Sequence, residues 1–135
     1  MQVNNELEIE QKFIERFVMK NKRDRYLEFI KNNKNRSKFT QKLAHFQDLR
    51  YELFEEVIGP ESQLIKERIK YLGKLKDCYV ISESAKFDQK RLGIDIAIDG
   101  VVGCGMGTLI IFGDNEIVYY EAEGPGDRWI SIANK

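Results

Sequence analysis

Histidine and cysteine are almost missing from this chain. His45 is the one histidine, and Cys78 and Cys104 stand 26 residues apart with no CxxC spacing around either. That inventory is too small for a Cys/His zinc set, so no structural metal is expected, and no cofactor. Two buried thiols are expected rather than a disulfide, because nothing in the chain reads as secretory. No Ser-His-Asp, Cys-His or HExxH arrangement occurs. His45, beside Phe46, has no nucleophile at its side and is expected at the surface or the edge of the core. Apolar runs are short, and none approaches the ~20 residues that span a bilayer. The start, MQVNNELEIEQ, is too polar and acidic for a signal or transit peptide, so a cytoplasmic location and no membrane partner are expected.

Net charge is also missing. Lys/Arg and Asp/Glu number 22 each, and the total therefore implies no polyanion partner. The distribution is uneven: residues 1–76 hold 17 Lys/Arg against 12 Asp/Glu, and residues 77–135 hold 5 against 10. A composition 42% hydrophobic and 33% charged is that of a globular chain. At 135 residues a single domain is expected, with a helical half (1–76) and a sheet half (77–135).

Ile9, Phe13, Ile14, Phe17 and Val18 form one apolar stripe at helical spacing. The stripe stops across KNKRDR (20–25) and resumes with Tyr26, Leu27 and Ile30, which predicts a break near Asn21 and a second helix to about Lys31. KNNKNRS (31–37) predicts a polar loop, with Ser37 capping a third helix that carries Phe39, Leu43 and Phe46. A further helix is predicted over 49–58, ending at Gly59-Pro60. Leu64, Ile65, Ile69 and Leu72 give a last helix its face, with Gly73 just past its end.

The remainder reads as sheet. Residues 78–81 are short, apolar and β-rich. Residues 82–91 are polar and predict a loop. Residues 92–102 fit a strand by the alternation of Ile94, Ile96 and Ile98, and fit a short helix as well. Residues 108–112 are apolar on both faces and predict a central strand. Gly113-Asp114-Asn115 predicts a tight turn, 117–123 the return strand, 124–127 a second turn and 128–132 the last strand. The fold class expected is α+β: four or five helices packed with a small, mostly antiparallel sheet.

Two surfaces are candidates for function. Residues 12–42 carry 11 Lys/Arg against Glu15, Asp24 and Glu28, with Tyr26, Phe29 and Phe39 interleaved. Arg23 and Arg25 flank Asp24, and Arg36 and Lys38 flank Ser37. These four cations are the expected contacts of a non-enzymatic binding or regulatory module meeting nucleic acid or an acidic protein partner. The ordinary alternative is a solvated helix face. The second candidate is a ligand pocket or active site where the glycine loop from Gly103 to Gly107 meets the 119–123 strand, with Cys104, Tyr119, Glu121 and Glu123 around it. GVVGCGMGT contains G-x-G-x-G. It runs into a strand and lacks a GK[ST] lysine, so the dinucleotide and P-loop readings fail. Its glycines are expected to serve positive φ or close packing. Glu121 and Glu123 are expected on a solvated sheet face. An immunity-type or regulatory partner protein would show the same sequence features.

KRDRYLEFI (22–30), KLAHF (42–46), CYVIS (78–82), VVGCGMGT (101–108) and YYEAEGPGDRWI (119–130) carry a resemblance to a group of small bacterial proteins without an established activity. It covers most of the chain in patches. The resemblance implies a helix over 92–102 and assigns no functional residues.

Overall fold

The computed structural model describes residues 2–58, 63–70, 75–124 and 127–132, with side chains from residue 6 onward. Its centre is the strand expected to be central. β4 (Thr108–Phe112) is buried at every position and lies between β5 (Ile117–Glu121) and β2 (Asp77–Ser82). The six-stranded sheet has the order β1-β6-β5-β4-β2-β3, where β1 is Phe54–Glu56, β3 is Lys90–Gly93 and β6 is Arg128–Ser131. Every pairing is antiparallel. Ile110 lies opposite Tyr119 on one side and Val80 on the other.

Strand side chains alternate between two apolar layers. Tyr79, Ile81, Leu109, Ile111, Val118 and Tyr120 face α1 (Gln2–Phe17), α2 (Arg23–Lys31) and α3 (Asn33–Lys42). Cys78, Val80, Ile110, Phe112, Tyr119 and Ile130 face α4 (Gln63–Ile69) and α5 (Ile94–Gly100). The sheet is thus covered on both faces, which explains why its middle strands read as unbroken apolar runs. The α+β class holds, with helices mostly N-terminal and the sheet towards the C-terminus. Among the described residues no helix is long and apolar enough to cross a membrane.

The predicted break is present: Lys20–Lys22 form a 3-10 turn between α1 and α2. Three predictions are corrected. The 31–37 loop does not form. Asn32 caps α3, its Oδ1 accepting the Lys34 amide at 2.8 Å, so the helix starts at Asn33 and Ser37 lies inside it. The 49–58 helix is also absent. Tyr51–Leu53 make one 3-10 turn and the chain then extends as β1 along β6. The edge of β6 offers unpaired backbone groups, and that pairing outweighs a weak helical pattern. Finally, part of the 82–91 loop is β3, which pairs with β2. Residues 92–102 resolve chiefly as helix α5, with Ala97 and Ile98 buried. Gly59, Pro60, Gly73, Pro125 and Gly126, on which turns and helix ends were predicted, lie outside the described residues.

One buried ion cluster joins the helical layer to the sheet. Arg36 of α3 donates to Glu10 of α1 at 2.6 and 3.1 Å and to both oxygens of Asp88. The Tyr79 hydroxyl of β2 donates to Glu10 at 2.7 Å. Asp88 also accepts the Ser82 amide at 3.0 Å. Only 7% of Arg36 and 2% of Glu10 is exposed, so each charge depends on the others. Burial works against the guanidinium charge, yet the hydrogen bonds to Glu10 and Asp88 outweigh it and hold Arg36 above the ordinary arginine range. Removing one partner of such a pair costs about 3–5 kcal/mol. Arg36→Met is expected to lose about that much in urea unfolding, and Glu10→Gln/Arg36→Met less than the sum of its single changes. Additive losses would show that the pair is uncoupled. Ile110→Ala is expected to cost about 2–5 kcal/mol, and an unchanged melting temperature would contradict the central position of β4.

Candidate functional site: a basic cleft between α2 and α3

The four cations expected to act together are not together. Arg36 is turned into the core and is unavailable to a partner. The displaced helix start is the reason. From Asn33 onward Arg36, Phe39, Thr40 and Leu43 share one stripe at i, i+3, i+4 and i+7, and that stripe is buried. Arg23 is half-buried, and its Nε donates to the Val18 carbonyl at 3.2 Å. Arg25 and Lys38 remain exposed, and the structure brings them to one cleft of about 500 Å³.

That cleft is lined by Arg25 and Phe29 of α2 and by Lys38, Gln41 and Lys42 of α3. Its geometry follows from helical spacing. Arg25 and Phe29 are one turn apart, as are Lys38 and the Gln41-Lys42 pair, so each group shares a face. The neighbouring stripe on α2, Tyr26 and Ile30, and the opposite stripe on α3, Arg36 and Phe39, are buried. Tyr26 packs edge-on against Phe39, with ring centroids 5.7 Å apart, and this contact holds the two helices together. Among the described residues no carboxylate lines the cleft, and none of its three cations is in an ion pair. Elsewhere in the basic stretch Lys12 pairs with Asp114, Arg16 donates to the Asn115 carbonyl and Lys31 pairs with Glu28, while Lys20, Lys22 and Lys34 are in no ion pair among the described residues. Sequence reasoning missed Gln41 and Lys42 as site residues. Their signal was the i+3, i+4 spacing from Lys38.

The second candidate is a closed polar cluster. Glu121 is 3% exposed, which corrects the expected solvated carboxylate. Its Oε1 accepts the Gly103 amide at 2.7 Å and the Tyr119 hydroxyl at 2.8 Å. Arg128 Nε donates to that hydroxyl at 2.7 Å. Cys104 Sγ lies 3.5 Å from Glu121 Oε2. Glu83 takes the Gly107 amide at 2.6 Å. The loop amides of Gly103 and Gly107 are therefore already satisfied by this chain's own carboxylates, which leaves neither free to cradle a phosphate. Gly103 and Gly105 have φ near +84° and +83°. A Cβ at Gly107 would collide with the Leu43 backbone, so that glycine permits a close approach. Glu123 lies past the end of β5 and is exposed, away from Glu121's hydrogen bonds. The cluster pins the glycine loop to the sheet.

Cys104 is half-buried, and burial, reinforced by Glu121, pushes its thiol up. Burial pushes the Cys78 thiol up to about 12. Thiolates are the reactive form, so both are poor nucleophiles near neutral pH. His45 is exposed. Among the described residues no three His, Cys, Asp or Glu side chains gather as a metal site. A larger hollow of about 650 Å³ lies between α4 and α5, with an aliphatic floor including Ile69, Leu75 and Ile98 and with Lys66, Lys70 and Lys76 around it. Among the described residues its lining includes no aromatic ring and no side-chain amide.

Native protein treated with iodoacetamide at pH 8 is expected to leave Cys78 unlabelled and to label Cys104 more slowly than free cysteine, read by peptide mass spectrometry. Faster labelling of Cys104 than of free cysteine would overturn the closed-cluster reading.

Comparison with protein-family profiles, with curated proteins and with solved structures gave no match.

Proposed function

We propose that the chain is a non-enzymatic binding module that holds nucleic acid against the α2–α3 cleft. The observation that carries this reading is the grouping of Arg25, Lys38 and Lys42 around one concave surface with no carboxylate among its described lining residues. A chain of zero net charge has no general attraction for polyanions, so a local excess of uncompensated cations is informative. Arginine adds a planar fork suited to phosphate oxygens, and the lysines add point charges. Phe29 and Gln41 add an aromatic ring and an amide, which suits a base better than it suits the carboxylates of an acidic protein. Contacts to phosphate fix position and release counterions, so affinity falls with salt.

Three neutralised phosphates give a log–log salt slope of about −2.7 on duplex DNA or about −2.1 on a single strand. Arg25→Glu/Lys38→Glu/Lys42→Glu is expected to abolish binding. It should leave the melting temperature nearly unchanged, because exposed substitutions typically move stability by less than about 0.5 kcal/mol. Fluorescence anisotropy of labelled oligonucleotides across a salt series measures the slope and the loss of binding, and thermal unfolding followed by circular dichroism measures the stability. Absence of binding by the wild type at low salt would remove nucleic acid and leave an acidic protein partner. Unchanged binding by the triple variant would move the contact to another cationic group, Lys66, Lys70 and Lys76 being the next.

A further inference from the structure

We infer that the cleft is a subsite for one unpaired base, so that the chain selects single-stranded over double-stranded nucleic acid; this rests on the proposed polyanion-binding role of the same surface. The deciding residue is Phe29. It is half-buried and lines the cleft, so part of its ring stays open to a ligand. Behind, it packs on Tyr26, with centroids 5.6 Å apart and planes at 59°. Tyr26 in turn contacts Phe39 at 5.7 Å and Phe46 at 5.9 Å, and its hydroxyl donates to Asp48 at 2.7 Å. Phe29 is therefore the outer member of a braced aromatic cluster, and a base resting on it meets a surface already in place. Preorganisation of this kind reduces the ordering cost of binding.

The rest of the cleft complements a nucleotide. Gln41 carries both an amide donor pair and a carbonyl acceptor, which matches the mixed donor and acceptor edge of a base. Arg25, Lys38 and Lys42 surround the ring and can take the phosphates on either side of the stacked base. Every base has a π-face, so this arrangement is tolerant of sequence. A duplex presents phosphates outside and stacked bases inside. It reaches Phe29 only by flipping a nucleotide out of the helix, which costs stacking and pairing. The cleft therefore distinguishes strandedness through shape, while the cations alone would not.

The test compares 15-mer oligo-dT, 15-mer oligo-U and a 15-base-pair duplex at one salt concentration, for the wild type and Phe29→Leu. Leucine keeps the apolar packing on Tyr26 and removes the ring. The expected result is tighter binding of both single strands than of the duplex by the wild type. Phe29→Leu should weaken single-strand binding by about 5- to 150-fold. It should leave duplex affinity and salt slope unchanged and the protein folded, with a modest fall in melting temperature from the lost contact with the Tyr26 ring. A difference between oligo-dT and oligo-U assigns the sugar preferred, and either strand supports the inference. A single 2-aminopurine in the strand should lose fluorescence on binding to the wild type and keep it with the variant. Equal or tighter duplex binding with the expected salt slope overturns the single-strand inference and leaves the polyanion reading standing. So does single-strand affinity unchanged in a folded Phe29→Leu protein. Absence of binding to all three polymers at low salt overturns both.

Discussion

A buried guanidinium holds this fold together. Arg36 is tolerable in the interior because Glu10 and Asp88 neutralise it and Tyr79 and the Ser82 amide satisfy the oxygens that remain. Burying either charge alone would cost several kcal/mol. The cluster ties α1, α3, β2 and the segment before β3 to one another. A hydrophobic layer is indifferent to small slides of one element over another. A bidentate ion pair fixes the register of α3 on the sheet. The packing of Phe13, Phe39 and Phe46 over Leu109 and Tyr120 then follows that register.

The consequence for the surface is indirect. With the Arg36–Phe39–Leu43 stripe turned inward, Lys38, Gln41 and Lys42 are turned outward on the same helix. With Tyr26 and Ile30 turned inward on α2, Arg25 and Phe29 face the same cleft. Eight of the eleven cations in the basic stretch are thus divided by the fold into three uses. One neutralises buried carboxylates, four brace loops and neighbouring carboxylates, and three line one cleft with an aromatic ring. Counting charges along the chain treats these alike. Their chemistry differs because the dielectric and the partners differ at each place.

The glycine loop shows the same division on the sheet side. G-x-G-x-G advertises exposed amides. Here Glu121 and Glu83 accept two of them from within the chain. The carboxylate that sequence alternation placed on a solvated face is the one that secures this loop. Tyr119, pushed up in pKa first by burial and then by Glu121, remains a neutral donor to that carboxylate.

The sequence by itself determined the pieces whose signal is local. The apolar stripe of α1, the interruption before α2, the fully buried β4 and the β4–β5–β6 meander follow from periodicity and turn residues, which report how each segment meets an apolar layer. Phe29 and the cations were visible as residue types, and the cleft was not visible as a place. Tertiary structure decided what depends on partners distant in the chain. β1 is a strand because β6 offers an edge to pair with. Arg36 turns inward because Glu10, 26 residues away, and Asp88, 52 residues away, meet it there. Glu121 is buried because Gly103 and Tyr119 supply its hydrogen bonds. Apolar burial leaves a repeat along the chain, whereas ion pairing across the fold leaves none, since any charge can face either way until its counter-charge is brought beside it.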